Sequence, residues 1–129
     1  MSGNWQISGV RAVGVPVTDQ DAALVFYTET LGFAVRADIA LEQFGGRWIE
    51  VAPPDETTTI ALIPARPGLP AGVETGVRFT VTDAAAAHEA LGSAGVKVGE
   101  LLRWPGVPPM FAVADQDGNG FELTEEQAR

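Results

Sequence analysis

The chain carries an internal echo. Val-Thr-Asp occurs at 17–19 and again at 81–83, a shift of 64 residues in a chain of 129. Each triplet follows an apolar run and precedes an alanine-bearing stretch that ends in glycine: VGVPVTDQDAALVFYTETLGF over 13–33 and VRFTVTDAAAAHEALGSAGV over 77–96. Two copies of one structural unit is the simplest reading of such spacing. The segment 64–75, PARPGLPAGVET, is rich in proline and glycine and reads as the connection. The expected organisation is one domain over 1–129, with a module at 8–63, a linker at 64–75 and a module at 76–126.

Each copy has local reasons to fold alike. Val13, Val15 and Val17 alternate with Ala12, Gly14 and Pro16, which is the period of a strand. Pro16 has no amide hydrogen and suits an edge position or one near the strand end. Thr18 or Asp19 can cap a helix whose Ala23, Phe26, Tyr27 and Leu31 recur at helical spacing, with Gly32 placed to end it. In the second copy Val77, Phe79 and Val81 alternate, Thr82 or Asp83 caps, Ala84, Ala87 and Leu91 form the stripe, and Gly92 or Gly95 stops it. Short strands are expected at 33–40, 46–52 and 58–63, then at 96–102, 109–114 and 119–124. Asp117-Gly118-Asn119-Gly120 is a hairpin turn signal. The order is strand, helix, three strands, twice over.

Composition removes several function classes. Eight basic against 17 acidic residues give a net charge of −9, which argues against nucleic acid and against anionic lipid as partners. Apolar residues at 46% are enough for a core. Cysteine is absent, so thiolate chemistry and Cys-based zinc sites are excluded. Neither MSGNWQISG nor any later stretch reads as a targeting or membrane segment, so a soluble cytoplasmic protein is the expectation.

The layout resembles the vicinal oxygen chelate superfamily of glyoxalase I, extradiol dioxygenases and bleomycin-resistance proteins. The resemblance runs over about residues 8–126. It rests on Val17-Thr18-Asp19 followed by Ala22, Phe26-Tyr27 and Leu31-Gly32-Phe33, and on Asp115-Gln116-Asp117-Gly118-Asn119 before Phe121-Glu122-Leu123. Gln116 departs from the proline usual at that place. The resemblance implies an α+β fold of two βαβββ modules forming a cup-shaped mixed sheet, with helices on the outer face. It also implies a homodimer. Strand alternation then assigns faces. Val13, Val15, Val17, Ile49, Val51, Ile60, Leu62, Val77, Phe79, Val81, Phe121 and Leu123 should face the helices. Ala12, Gly14, Trp48, Glu50, Thr59, Ala61, Gly76, Arg78, Thr80, Gly120 and Glu122 should line the cup.

Metal-dependent members of that superfamily place four ligands on the cup face. By matching motifs these positions fall at Ala12, near Ala61, at Gly76 and at Glu122. Only Glu122 is a ligand type, whereas a catalytic metal needs about three protein donors. No metal and no cofactor are therefore expected. The single histidine, His88, lies on the outer helix.

The cup candidates are organic. Glu122 or Glu50 is a candidate general base, and burial would raise the Glu122 pKa. Arg78 is placed to grip a ligand carboxylate or phosphate, or else to pair with Glu122 or Glu50. Trp48 supplies an indole wall beside Glu50. Trp104 and Met110 bracket an apolar loop that could lid the pocket or join a dimer contact, and Ala12, Ala61 and Gly76 are small cup-floor positions. Two functions follow: binding of a small organic ligand of the resistance kind, or metal-independent isomerase or lyase chemistry using Glu122 or Glu50. A metal-dependent lyase or dioxygenase is the weaker third.

Overall fold

The computed structural model describes residues 4–127. Residues 1–3 and 128–129 lie outside the described residues, and with them the start of MSGNWQISG and both ends of the expected 1–129 domain. Along the chain run β1 (Ala12–Val17), α1 (Gln20–Val25), β2 (Ala34–Leu41), β3 (Gly46–Ala52) and β4 (Thr59–Pro64). The second set is β5 (Glu74–Val81), α2 (Ala84–Ser93), β6 (Lys97–Val98), β7 (Met110–Ala114) and β8 (Gly120–Glu125).

The fold is α+β with two β-rich modules. Hydrogen bonding divides it into two four-stranded mixed sheets, ordered β1-β4-β3-β2 and β5-β8-β7-β6. In each the first strand lies parallel to the last, and the remaining pairs are antiparallel. The sequence echo is thus an echo of topology. Pro16 sits on β1, an edge strand, where its missing N–H costs no ladder bond.

Capping follows residue chemistry. The Asp19 carboxylate accepts from the Ala22 N–H at 3.1 Å, and Asp83 accepts from Ala86 at 3.0 Å. Thr18, the other cap candidate, is engaged elsewhere: its N–H and hydroxyl both donate to Asp117. Beyond α1 the helix widens into a π turn over Phe26–Thr30, which the sequence pattern had as plain helix. Gly32 (φ 79°) then ends it, and Gly95 (φ 87°) ends the second helix, left-handed conformations that glycine adopts freely. The strand expected at 96–102 is regular only at Lys97–Val98. Farther on, the Gly99 N–H still reaches the Ala112 carbonyl, and Leu102 exchanges bonds with Met110.

The helix-facing residues build two apolar clusters. Val15, Val17, Ile49, Val51, Ile60 and Leu62 pack with Ala23 and Tyr27 in one, and Phe111, Val113, Phe121 and Leu123 with Ala84 in the other. Leu31, Val77 and Phe79 touch both clusters, so the two merge on the helix side. Edge-to-face pairs run through the seam, with ring centroids 5.3 Å apart for both Phe33–Phe79 and Phe79–Phe121.

A polar knot crosses the same seam. Asn119 is fully buried and Asp115 nearly so. The Asn119 amide donates to the Pro16 carbonyl at 2.9 Å and to Asp115 at 3.0 Å. Its oxygen accepts from the Gly72 and Val73 N–H groups. Asp115 also accepts from the Tyr27 hydroxyl at 2.8 Å. Burial, and then the adjacent Asp115 charge, push the Tyr27 phenol far above its usual range, so it stays a donor. His88 serves packing: its Nε2 lies 2.8 Å from the Gly99 oxygen, and its ring stands edge-on to Phe111. Among the described residues no helix is long and apolar enough to cross a membrane.

Asn119→Ala strands the Pro16 carbonyl and two linker N–H groups. It is expected to cost about 1–3 kcal/mol in urea unfolding, mostly from the buried Pro16 carbonyl, since a buried unsatisfied group costs about 1–3 kcal/mol and Gly72 and Val73 lie open enough for water to replace their acceptor. Tyr27→Phe removes one bond and should cost about 1–3 kcal/mol. Wild-type stability in Asn119→Ala would contradict the role given to this residue.

Candidate functional site

On the face of each sheet turned away from its helix, the chain sets one carboxylate–arginine pair. In the first module Glu50, on β3, is only 3% exposed. Its Oε1 accepts from the Thr59 hydroxyl at 2.8 Å, and its Oε2 accepts from the Trp48 indole N–H at 2.6 Å and from Arg11 at 3.3 Å. Burial pushes this carboxyl up, but the bonds from Trp48 and Thr59, with the Arg11 charge, outweigh it and hold the pKa below the ordinary glutamate range. Glu50 is therefore an ionised acceptor whose basicity is reduced, the opposite of what base catalysis near neutral pH requires.

In the second module Arg78 on β5 stands beside Glu122 on β8 in the parallel register, and the two form an ion pair. Both are more open than Glu50: the side chains of Arg78 and Glu122 are 63% and 35% exposed. The sequence left Arg78 between Glu122 and Glu50 as partners. The fold chooses Glu122 and assigns Arg11 to Glu50.

The remaining candidates are scattered. Ala61 is buried on β4 directly opposite Glu50, and Ala12 is half-buried at the start of β1. Gly76 has φ 76° at a shift in the β5–β8 register. A side chain at 76 would have open space but a strained backbone. Met110, half-buried on β7, pairs with Thr124. Trp104 is 58% exposed on the loop before β7. Trp48 stacks edge-on with Phe44 and faces Glu50.

Two participants escaped the sequence reading. Glu74 shares the Arg78 face of β5, and its carboxylate covers Gly120 so closely that a Cβ there would lie 2.6 Å from Oε1. The register shift between Glu74 and Arg78 breaks the β5 alternation, so strand parity alone does not mark it. Arg11 has the parity of the helix-facing valines and precedes β1, so no periodic signal marks it. A cleft of about 490 Å³ opens between the Pro53–Glu56 turn and β5. Val13, Thr58, Ile60, Arg78, Phe79 and Thr80 are among the residues that line it, so both modules contribute; Trp48 and Glu50 are not among them.

A family model described as the Glyoxalase/Bleomycin resistance protein/Dioxygenase superfamily matches residues 9–123. The chain belongs to this superfamily. The solved structure of TnmS3, an antibiotic binding protein from Streptomyces sp. CB03234, superposes with a TM-score of 0.84 at 32% identity, covering 96% of this chain and 100% of that one. Two proteins of Bacillus subtilis (strain 168) are also similar. YetH is 32% identical over 125 residues, 92% of this chain and 99% of its own length. YurT is 50% identical over 40 residues, 31% of this chain and only 30% of its own length.

For this superfamily member the donor set does not fit a metal. Of the four positions that the resemblance matches to ligands, Ala12, Gly76 and the stretch about Ala61 offer no histidine or carboxylate donor. Among the described residues no three His, Cys, Asp or Glu side chains group to hold an ion.

The Glu50 environment sets a pH signature. A carboxylate whose folded pKa is depressed contributes stability that is complete above its unfolded pKa of about 4.3 and is lost as the pH falls through the folded value. The stability of the wild type relative to Glu50→Gln should therefore be constant from pH 7 to about 5 and decline toward pH 3. Urea unfolding of both proteins across that range measures it; a difference that grows on acidification would contradict the assigned sign.

Proposed function

We propose that this protein binds a small organic molecule on its cup faces and holds it unchanged, without a metal, as resistance-type sequestration in the cytoplasm. One observation carries the choice of binding over turnover: both carboxylates that could serve as the base are engaged by an arginine, Glu50 by Arg11 and Glu122 by Arg78. Neither stands free as a base. The surrounding groups suit recognition, with an indole at Trp48, a guanidinium at Arg78, and open space over Gly76. The likeness to TnmS3, an antibiotic binding protein, supports the same reading.

A homodimer is part of the proposal. Trp5, Ile7 and Val10 before β1, with Trp104 and Val107 on the loop before β7, are large apolar side chains left exposed. Apolar exposure of this kind favours association.

Native mass spectrometry of protein purified without added metal tests both parts. The expected result is a two-chain species carrying an organic mass that is recovered chemically intact on denaturation. Arg78→Ala should lower its occupancy at least about tenfold, the 1.4 kcal/mol or more expected for a lost charged hydrogen bond. Stoichiometric transition metal, with turnover abolished by a chelator and restored by the ion, would overturn the proposal.

A further inference from the structure

The Glu50 cluster carries an arrangement that structural pairing alone does not require. Its two neutral donors are fixed in the sheet, Trp48 on the same strand and Thr59 on β4. Its charged partner is not. Arg11 lies outside β1, its side chain is 82% exposed, and it reaches Oε2 through one nitrogen at 3.3 Å. Charge-assisted contacts are normally about 2.7–2.9 Å and, for guanidinium, often two-pronged. Among the described residues no other cation forms an ion pair with Glu50. The main chain of Arg11 is tied down, since its carbonyl accepts from the Thr59 N–H at 3.0 Å, so the side chain can swing away without moving the strand.

The electrostatics make this loose contact consequential. A buried carboxylate needs a compensating cation, and here that cation is a mostly hydrated group on a flexible stem. Because the exposed guanidinium touches Oε2, that oxygen lies directly beneath the surface that Arg11 covers. A ligand cation with two N–H donors, one to Oε2 in place of Arg11 and one to Oε1, which accepts only from Thr59, would replace one long contact by a two-pronged pair.

We infer that Glu50 is the recognition point for a planar cationic group of the ligand, an amidinium or guanidinium, and that the Arg11 side chain occupies this place in the free protein as a displaceable stand-in. The inference rests on the proposed ligand-binding function and deepens it by naming the chemical class. Arg11 thereby sets an affinity threshold: only a cation that pairs better than a solvated arginine displaces it.

Benzamidine is the probe, and the indole N–H resonance of Trp48, assigned through Trp48→Phe, is the reporter. Arg11→Ala should bind benzamidine at least tenfold more tightly than the wild type, with the Trp48 signal moving on titration. Adding Glu50→Gln to Arg11→Ala should abolish that gain, and benzyl alcohol, of similar size but neutral, should leave the signal in place. Arg11→Met, which keeps the aliphatic stem, makes the same comparison should Arg11→Ala fail to fold. Equal affinity in wild type and Arg11 variants, binding that survives Glu50→Gln, or equal binding of benzyl alcohol would each overturn the inference. An intact but uncharged organic mass in the native spectrum would also overturn it while leaving the binding function standing. Loss of the binding function itself is read separately, from the absence of any such mass.

Discussion

The Asn119 side chain makes four hydrogen bonds while fully buried, and the arrangement of the two modules depends on it. It joins the β1 carbonyl of Pro16 to the N–H groups of Gly72 and Val73, just before β5. Through Asp115 it also reaches the hydroxyl of Tyr27. An amide can donate and accept at once, which an apolar or acidic side chain in this place cannot. The same loop sends Asp117 to Thr18 at the mouth of α1. A turn between two strands of the second module thus fastens the start of the first.

This seam joins the modules on their helix side and leaves the opposite faces for chemistry. There the two copies have diverged in an orderly way. In the first module the carboxylate is on β3, and its neighbour Ala61 is on β4. In the second the carboxylate is on β8, and its neighbour Ala112 is on β7. Strand and partner have exchanged which of them bears the charge. The charge is buried in one module and open in the other. Glu50 therefore bears the larger desolvation penalty, whereas the Arg78–Glu122 pair remains hydrated.

Much of the fold was legible because it follows from short-range rules. The alternation through Val13, Val15 and Val17, the aspartate caps at 19 and 83, and the glycines at 32 and 95 each act within a few residues. The helix-facing residues of β1, β3, β4, β5, β7 and β8 read as apolar, and they form or flank the two clusters. The site was legible only in part. Trp48, Glu50, Arg78 and Glu122 lie on the cup faces because strand parity places them there. Their partners were not legible, since parity does not say which arginine reaches which carboxylate. Arg11 lies outside the strand pattern, and Glu74 comes to cover Gly120 beyond the shift at Gly76.

By itself the sequence determined the repeat, the element order, the apolar and polar faces, and the lack of donors at Ala12, Ala61 and Gly76, because these depend on residue type and local spacing. Only the tertiary structure decided that Asn119 joins the modules, that Arg11 rather than Arg78 neutralises Glu50, and that the Glu50 pKa falls despite burial. Each of those outcomes is a balance between desolvation and a few long-range contacts, and such contacts exist only once distant strands have been brought together.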